Sequence, residues 1–315
     1  MKAIVATPEG ARLQDVPQPA PGLAEVLVQV KAASLNRADL AAVAARDGKV
    51  VGMEWAGEVM AAGADVVGFK AGDRVMCTGA GGFAQFAVTD WGRVMKIPDE
   101  LAFEDATILM LALQTMHDAI VTNGRMRAGD AVLIHGASSG VGLMGLQIAK
   151  LLGADLVVGT ATNAARRARL QEHGADLAVD AAQPDWADAV LARTGGNGVD
   201  VIVDQVSGSR FNETMRAAAI MGRIVNVGRL GGGTGAFDFQ LHALRRLAYT
   251  GVTFRTRGAV EIRELTARMS ADLAPAIAAR TLRLPVDSVF PLQDAAAAFE
   301  RMRANQHFGK IVLTV

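Results

Sequence analysis

From about Ala128 onward, short apolar runs alternate with amphipathic segments of helical length, a rhythm that predicts a parallel sheet with crossover helices. The predicted strands are Ala131–His135, Leu156–Thr160, Leu177–Asp180, Val199–Val203, Arg223–Val227 and Gly251–Phe254. Six such strands form one doubly wound α/β sheet. Residues 1–100 read differently: β-branched or apolar runs such as Glu25–Val30 and Gly72–Met76 are punctuated by Gly and Pro, predicting an irregular β domain. After Arg257 come another helix, Pro285 and Pro291, a helix at about Leu292–Ala304 and a closing strand Lys310–Val315. A single terminal strand fits the first domain's sheet better than the second's. The β domain is therefore expected to be discontinuous, residues 1–110 with 259–315, around the parallel-sheet domain at 111–258.

Composition narrows the function. Hydrophobic residues make up 51% of the 315-residue chain and charged ones 20%, the profile of a packed globule. The 32 Lys plus Arg balance 32 Asp plus Glu, so no net field exists to gather nucleic acid or an anionic membrane, and neither is expected as a partner. The one cysteine, Cys77, excludes an intrachain disulfide. Pro8 and Glu9 interrupt the N-terminal apolar stretch before it reaches signal-peptide length, and no apolar run approaches the roughly 18 residues that span a bilayer. A reducing, cytoplasmic setting is the expectation.

The most informative stretch is Ala131–Leu143, a strand entering the turn Gly136-Ala137-Ser138-Ser139-Gly140-Val141-Gly142 and then a helix. At such a junction, free backbone N–H groups and the positive end of the helix dipole face a phosphate. Ala137 and Ser139 stand where the ideal glycine motif has its first two glycines, and Gly142 is the third. Ser138 or Ser139 can add hydroxyl donors to a pyrophosphate. An NAD-specific site would carry a carboxylate at the end of the second strand. The chain instead reads Thr160-Ala161-Thr162-Asn163, then Arg166, Arg167 and Arg169. Hydroxyls and guanidinium groups suit a 2′-phosphate, so NADP(H) is the expected cofactor; the alternative for the arginines is a solvated basic helix face.

Zinc-assisted alcohol chemistry lacks its ligands, because the five histidines are scattered without paired spacing; no metal site is expected. A tyrosine–lysine pair four residues apart is also missing, since the single tyrosine, Tyr249, has Thr253 at that offset. Hydride transfer without a strong electrophile is easier when the product anion is stable. A phenol-like hydroquinone has a pKa of about 10 against about 15.7 for water, a gap worth roughly 8 kcal/mol. Quinones and enones meet that condition.

Together these residues resemble the zinc-independent quinone oxidoreductase branch of the medium-chain dehydrogenase/reductase superfamily, over nearly the full length. The resemblance is carried by Ser34-Leu35-Asn36-Arg37-Ala38-Asp39-Leu40, Gly52-Met53-Glu54-Trp55-Ala56-Gly57, the turn Gly136–Gly142 and the ending Gly309-Lys310-Ile311-Val312-Leu313. It implies a Rossmann sheet beside a GroES-like β domain, with Asn36 and Met53 standing where zinc-bearing relatives have ligands. By the same resemblance, Asn36 and Asp39 border substrate and nicotinamide, and Thr115 lies near the nicotinamide ribose or phosphates. Ser138, Ser139, Gly140, Val141 and Gly142 face the pyrophosphate, and Thr160, Thr162 and Arg166 the 2′-phosphate. Gly228, Arg229 and Leu230 flank the nicotinamide with Phe254, Arg255 and Thr256, and Lys310 belongs to the closing Gly-Lys pair that also serves the cofactor. Asn36 and Asp39 are equally suited to capping the helix that begins there, and Thr115 to bonding a carbonyl one turn back.

Two departures stand out. The stretch from Asn36 to Gly52 is shorter than usual and lacks a substrate-side tyrosine, and Asp180-Ala181 replaces an Asn-Tyr pair near the cofactor. The implied activity is NADPH-dependent reduction of a small quinone or enone. Reduction of enoyl thioesters and a non-catalytic NADP(H)-binding sensor are the alternatives. A homodimer is expected through the apolar edge strand near Gly251–Phe254.

Overall fold

Two units divide the chain in the computed structural model, which describes residues 1–315: Met1–Leu111 with Gly258–Val315, and Ala112–Arg257. The first opens with an antiparallel hairpin, β1 (Lys2–Thr7) and β2 (Gly10–Asp15), followed by β3 (Glu25–Ser34) and helix α1 (Arg37–Ala45). Then come β4 (Glu54–Ala62), β5 (Arg74–Thr78), β6 (Phe86–Asp90), β7 (Val94–Lys96) and α2 (Phe103–Ala106), with α3 (Met110–His117) leading into the second unit. Buried residues occupy both faces of much of β3, and Val26, Val28 and Val30 pack in one core with Trp55, Phe83 and Phe299. A strand covered on both sides needs apolar residues at successive positions rather than strict alternation.

In the second unit the elements run β8 (Ala131–His135), α4 (Gly140–Leu151), β9 (Leu156–Thr160), α5 (Ala164–Ala168), β10 (Leu177–Val179), α6 (Trp186–Arg193) and β11 (Val199–Asp204). They continue through α7 (Phe211–Ala217), β12 (Ala218–Asn226), α8 (Phe239–Arg245) and β13 (Ala248–Gly251). All six strands are parallel, in the order β10-β9-β8-β11-β12-β13. The order reverses between β8 and β11, which is where an open α/β sheet leaves a crevice for a ligand. The observed β8 and β9 coincide with the predicted strands. The sixth strand does not: it spans Ala248–Gly251 instead of Gly251–Phe254. Its register follows β12, with Arg223 opposite Ala248 and Asn226 opposite Gly251, so the pairing runs out before Val252–Phe254 begins.

The chain returns to the first unit through α9 (Ala259–Ala278), β14 (Val286–Pro291), α10 (Ala295–Arg303) and β15 (Lys310–Thr314). The last strand lies between β14, which it pairs in parallel, and β3, which it pairs antiparallel through Val312–Ser34 and Leu313–Ala33. The terminal segment thus joins the sheet of the N-terminal residues, making that β unit discontinuous.

Candidate functional site

The glycine-rich turn forms at the carboxyl end of β8. Ser139 caps α4, its hydroxyl oxygen accepting the N–H of Gly142 at 3.0 Å, while its backbone carbonyl takes that of Leu143 at 2.8 Å. The N–H groups of Gly140 and Val141 have no acceptor within the chain, and they stand at the positive end of the α4 dipole. Glycine is required at position 142: a Cβ there would lie 2.7 Å from Cα of Ala137. This close approach seats the helix against the turn and leaves backbone donors as the surface that a phosphate would meet.

Thr160 plays a part other than the expected one. Its side chain is buried, its hydroxyl oxygen accepting the Gly136 N–H at 3.1 Å and bonding His135 Nδ1 at 2.8 Å. Burial lowers the pKa of His135, and a neutral ring leaves Nδ1 free to accept the Thr160 proton. Thr160 therefore braces the turn from beneath instead of meeting a 2′-phosphate. Thr162 is exposed just past β9 and Arg166 half-buried in α5, with Asn163, the cap of that helix, accepting the Arg166 N–H at 3.0 Å. Arg167 is committed to Asp180 at 3.2 Å and to the Ala161 carbonyl at 3.0 Å, and Arg169 to Glu172 at 3.2 Å. No carboxylate occupies residues 160–163.

Ser139 also departs from expectation. Besides capping α4, its hydroxyl contacts the Gly136 carbonyl and Gln205 Oε1, each at 3.1 Å, so it has no proton left for a ligand, and the partly exposed Ser138 is the turn's other hydroxyl. At the ends of β11 and β12, Asp204 accepts the N–H groups of Val206 at 2.8 Å and Ser207 at 2.9 Å, and Asn226 donates to the Gly228 carbonyl at 3.0 Å and to Ser207 Oγ. Those bonds shape the loop that carries Gly228, Arg229 and Leu230. Phe254, Arg255 and Thr256 follow β13, in a segment ending where Arg257 pairs with buried Asp118 at 2.7 Å. Thr115 is half-buried on α3.

In the first unit the structure gathers Asn36, Asp39 and Lys310 into one buried polar cluster, with Ser34 and Glu54 as members that the sequence reading left without a role. Glu54 Oε2 accepts from Ser34 Oγ at 2.7 Å, Lys310 Nζ at 2.9 Å and Asn36 Nδ2 at 3.1 Å, and Oε1 accepts the Leu111 N–H at 2.7 Å. Asn36 Oδ1 takes a second bond from Lys310 at 2.7 Å. With 4% of its surface exposed and both acceptors internal, Lys310 is the counter-ion of Glu54 rather than a cofactor-facing cation. The available signal for Glu54 was an acidic residue opening the otherwise apolar Glu54-Trp55-Ala56-Gly57 segment.

Asp39 reaches back to the Asn36 N–H at 2.7 Å, so the capping alternative holds for the aspartate. The Asn36 side chain instead turns to Lys310 and Glu54. Burial raises the Asp39 pKa from 3.8 to about 7, opposed by the Asn36 N–H and the Lys310 charge and reinforced by Glu54. Cys77 is fully buried, and burial pushes its thiol well above the ordinary range. No group of three His, Cys, Asp or Glu side chains is placed to hold a metal ion, and no helix is long and apolar enough to cross a membrane.

Comparison with known proteins agrees with this architecture. Residues 22–99 match the alcohol dehydrogenase GroES-like domain family, and residues 140–271 match the zinc-binding dehydrogenase family. A mycocerosic acid synthase-like polyketide synthase of Mycolicibacterium smegmatis is 30% identical over 332 residues, a match covering 100% of this chain but only 15% of that protein. A probable oxidoreductase from Mycobacterium abscessus is 30% identical, with a TM-score of 0.84, over 100% of this chain and 99% of that one. A mycobacterial quinone oxidoreductase is 28% identical with a TM-score of 0.90, and a mycobacterial structure complexed with NADPH is 28% identical with a TM-score of 0.89, both over 100% of each chain. With both family models matched and full-length relatives of the same fold, the chain belongs to the medium-chain dehydrogenase/reductase superfamily of oxidoreductases.

Proposed function

We propose that this oxidoreductase uses NADPH to reduce a quinone or an α,β-unsaturated carbonyl compound. The observation that carries the cofactor preference is the segment after β9, where residues 160–163 include no Asp or Glu and Thr162 is followed by Arg166 in α5. Bound NADPH would supply the hydride. The chain's part is to bind and orient: the Gly140 and Val141 N–H groups and Ser138 would meet the pyrophosphate, Thr162 and Arg166 the 2′-phosphate, and the loops at 228–230 and 254–256 the nicotinamide end. An acceptor whose reduced form is a stabilised anion suits a protein that offers orientation as its main contribution. The similarity to a mycobacterial quinone oxidoreductase supports that acceptor class.

A second reading, reduction of enoyl thioesters, is favoured by the match to a segment of a polyketide synthase. Steady-state rates with a quinone, a simple enone and an enoyl thioester separate the two. NADPH binding without turnover of any of them would leave a sensor role. The edge strand β13, with Tyr249 and Thr250 exposed, is proposed as the seam of a homodimer.

The decisive experiment titrates NADPH and NADH against the native chain and Arg166→Ala. Native protein should favour NADPH by at least about tenfold, consistent with a charge-assisted bond worth about 1.5–3 kcal/mol, and the variant should lose that preference. Equal native affinities would refute the 2′-phosphate assignment.

A further inference from the structure

The carboxyl ends of β8 and β11 lie side by side where the sheet order reverses. One side chain bridges them. Gln205, the residue after β11, donates from Nε2 to the carbonyls of His135 at 3.2 Å and Gly136 at 3.3 Å, and its Oε1 accepts from Ser139 Oγ at 3.1 Å. The Gln205 backbone carbonyl accepts the Leu230 N–H at 3.1 Å. A single residue, 6% exposed, thus ties the glycine-rich turn to the segments that follow β11 and β12.

Electrostatics suggests what the bridge does. The His135 and Gly136 carbonyls are acceptors at the mouth of a turn that must face a doubly anionic pyrophosphate. The carboxamide of Gln205 occupies both with N–H donors and engages the Ser139 hydroxyl with its oxygen. We propose that Gln205 is a positioning residue for the pyrophosphate, holding these acceptors away from the ligand so that the turn presents its Gly140 and Val141 N–H groups. This rests on the nucleotide reading above and adds to it a residue that works through Ser139 and the turn. The role demands a side chain with donor and acceptor on one rigid plane. Glutamate would set a charge against two carbonyls and the incoming phosphates, and methionine would fill similar volume with no strong hydrogen bond.

The test measures NADPH and adenosine 2′-monophosphate affinity, at one fixed salt concentration, for the native chain, Gln205→Met, Gln205→Glu, Ser139→Ala and the Ser139→Ala/Gln205→Met double variant. The monophosphate carries the 2′-phosphate but no pyrophosphate. Gln205→Met should weaken NADPH binding by about 5- to 30-fold, the worth of one or two neutral hydrogen bonds, while changing monophosphate affinity less than about twofold. Gln205→Glu should weaken NADPH binding further. The double variant should fall short of the product of the two single effects, because both remove the same contact. Unchanged NADPH affinity in Gln205→Met, or equal losses for both ligands, would overturn the proposal. A native chain that binds the monophosphate but not NADPH would also overturn it, whereas one that binds neither would remove the nucleotide reading itself.

Discussion

Asp39 gives the sharpest quantitative consequence of the buried cluster. Its folded pKa of about 7 lies above its ordinary 3.8, so the native state holds a proton that the unfolded chain releases. Between those two values the native state binds more protons, and stability must fall as pH rises. The contribution of the protonated carboxyl is fully present below about pH 4 and lost by the time pH has passed 7. At about 1.36 kcal/mol per unit, the loss totals on the order of 4 kcal/mol, of which roughly 2–3 kcal/mol falls between pH 5 and 8. Asp39→Asn keeps an oxygen that can accept the Asn36 N–H and removes the titration. Urea unfolding followed by tryptophan fluorescence in a Trp186→Phe background reports on Trp55 and Trp91, both in the first unit. The Asn variant should gain stability relative to the Asp39 parent as pH rises from 5 to 8, by about 2–3 kcal/mol. A difference that stays flat across that range would show that Asp39 does not carry a raised pKa, and the description of the cluster would fail with it.

Lys310→Met leaves Glu54 charged in a buried site and should cost about 3–5 kcal/mol in urea unfolding, while adding Glu54→Gln should recover part of that loss. Gly142→Ala forces Cβ to 2.7 Å from Ala137 and should displace α4 from the turn, with NADPH binding falling at least tenfold in a fluorescence titration; native-like affinity would contradict the tight seating. Sedimentation at micromolar concentration should find a dimer that Tyr249→Lys shifts toward monomer, and a native chain found only as monomer would remove the β13 seam.

The legible part of the sequence was the part whose structure follows from local pattern. β8 and β9 are buried along almost their whole length, so each reads as an apolar run bounded by turn residues, and its ends show in the sequence. β13 is an edge strand with three of its four residues exposed, and apolar content drew the expectation downstream to Val252–Phe254, although pairing with β12 decides where the strand lies. The turn's position was evident, but the direction in which its hydroxyls point was not. Thr160 and Ser139 look like ligand donors in sequence, and tertiary partners at His135, Gly136 and Gln205 claim them. Lys310 lies 256 positions from Glu54 and 274 from Asn36, separations over which no local pattern signals an ion pair.

The placement of β15 between β14 and β3 carries a consequence for biogenesis. The contiguous segment Ala112–Arg257 has all six of its strands once it has left the ribosome, and can close its sheet while later residues are still being translated. The N-terminal strands must wait. Until Lys310 emerges, Glu54 lacks its cation and β3 keeps an open margin, so the nascent first unit remains an incomplete sheet until then. Pulse proteolysis of stalled chains should reveal resistance in residues 112–257 before it appears in residues 1–111.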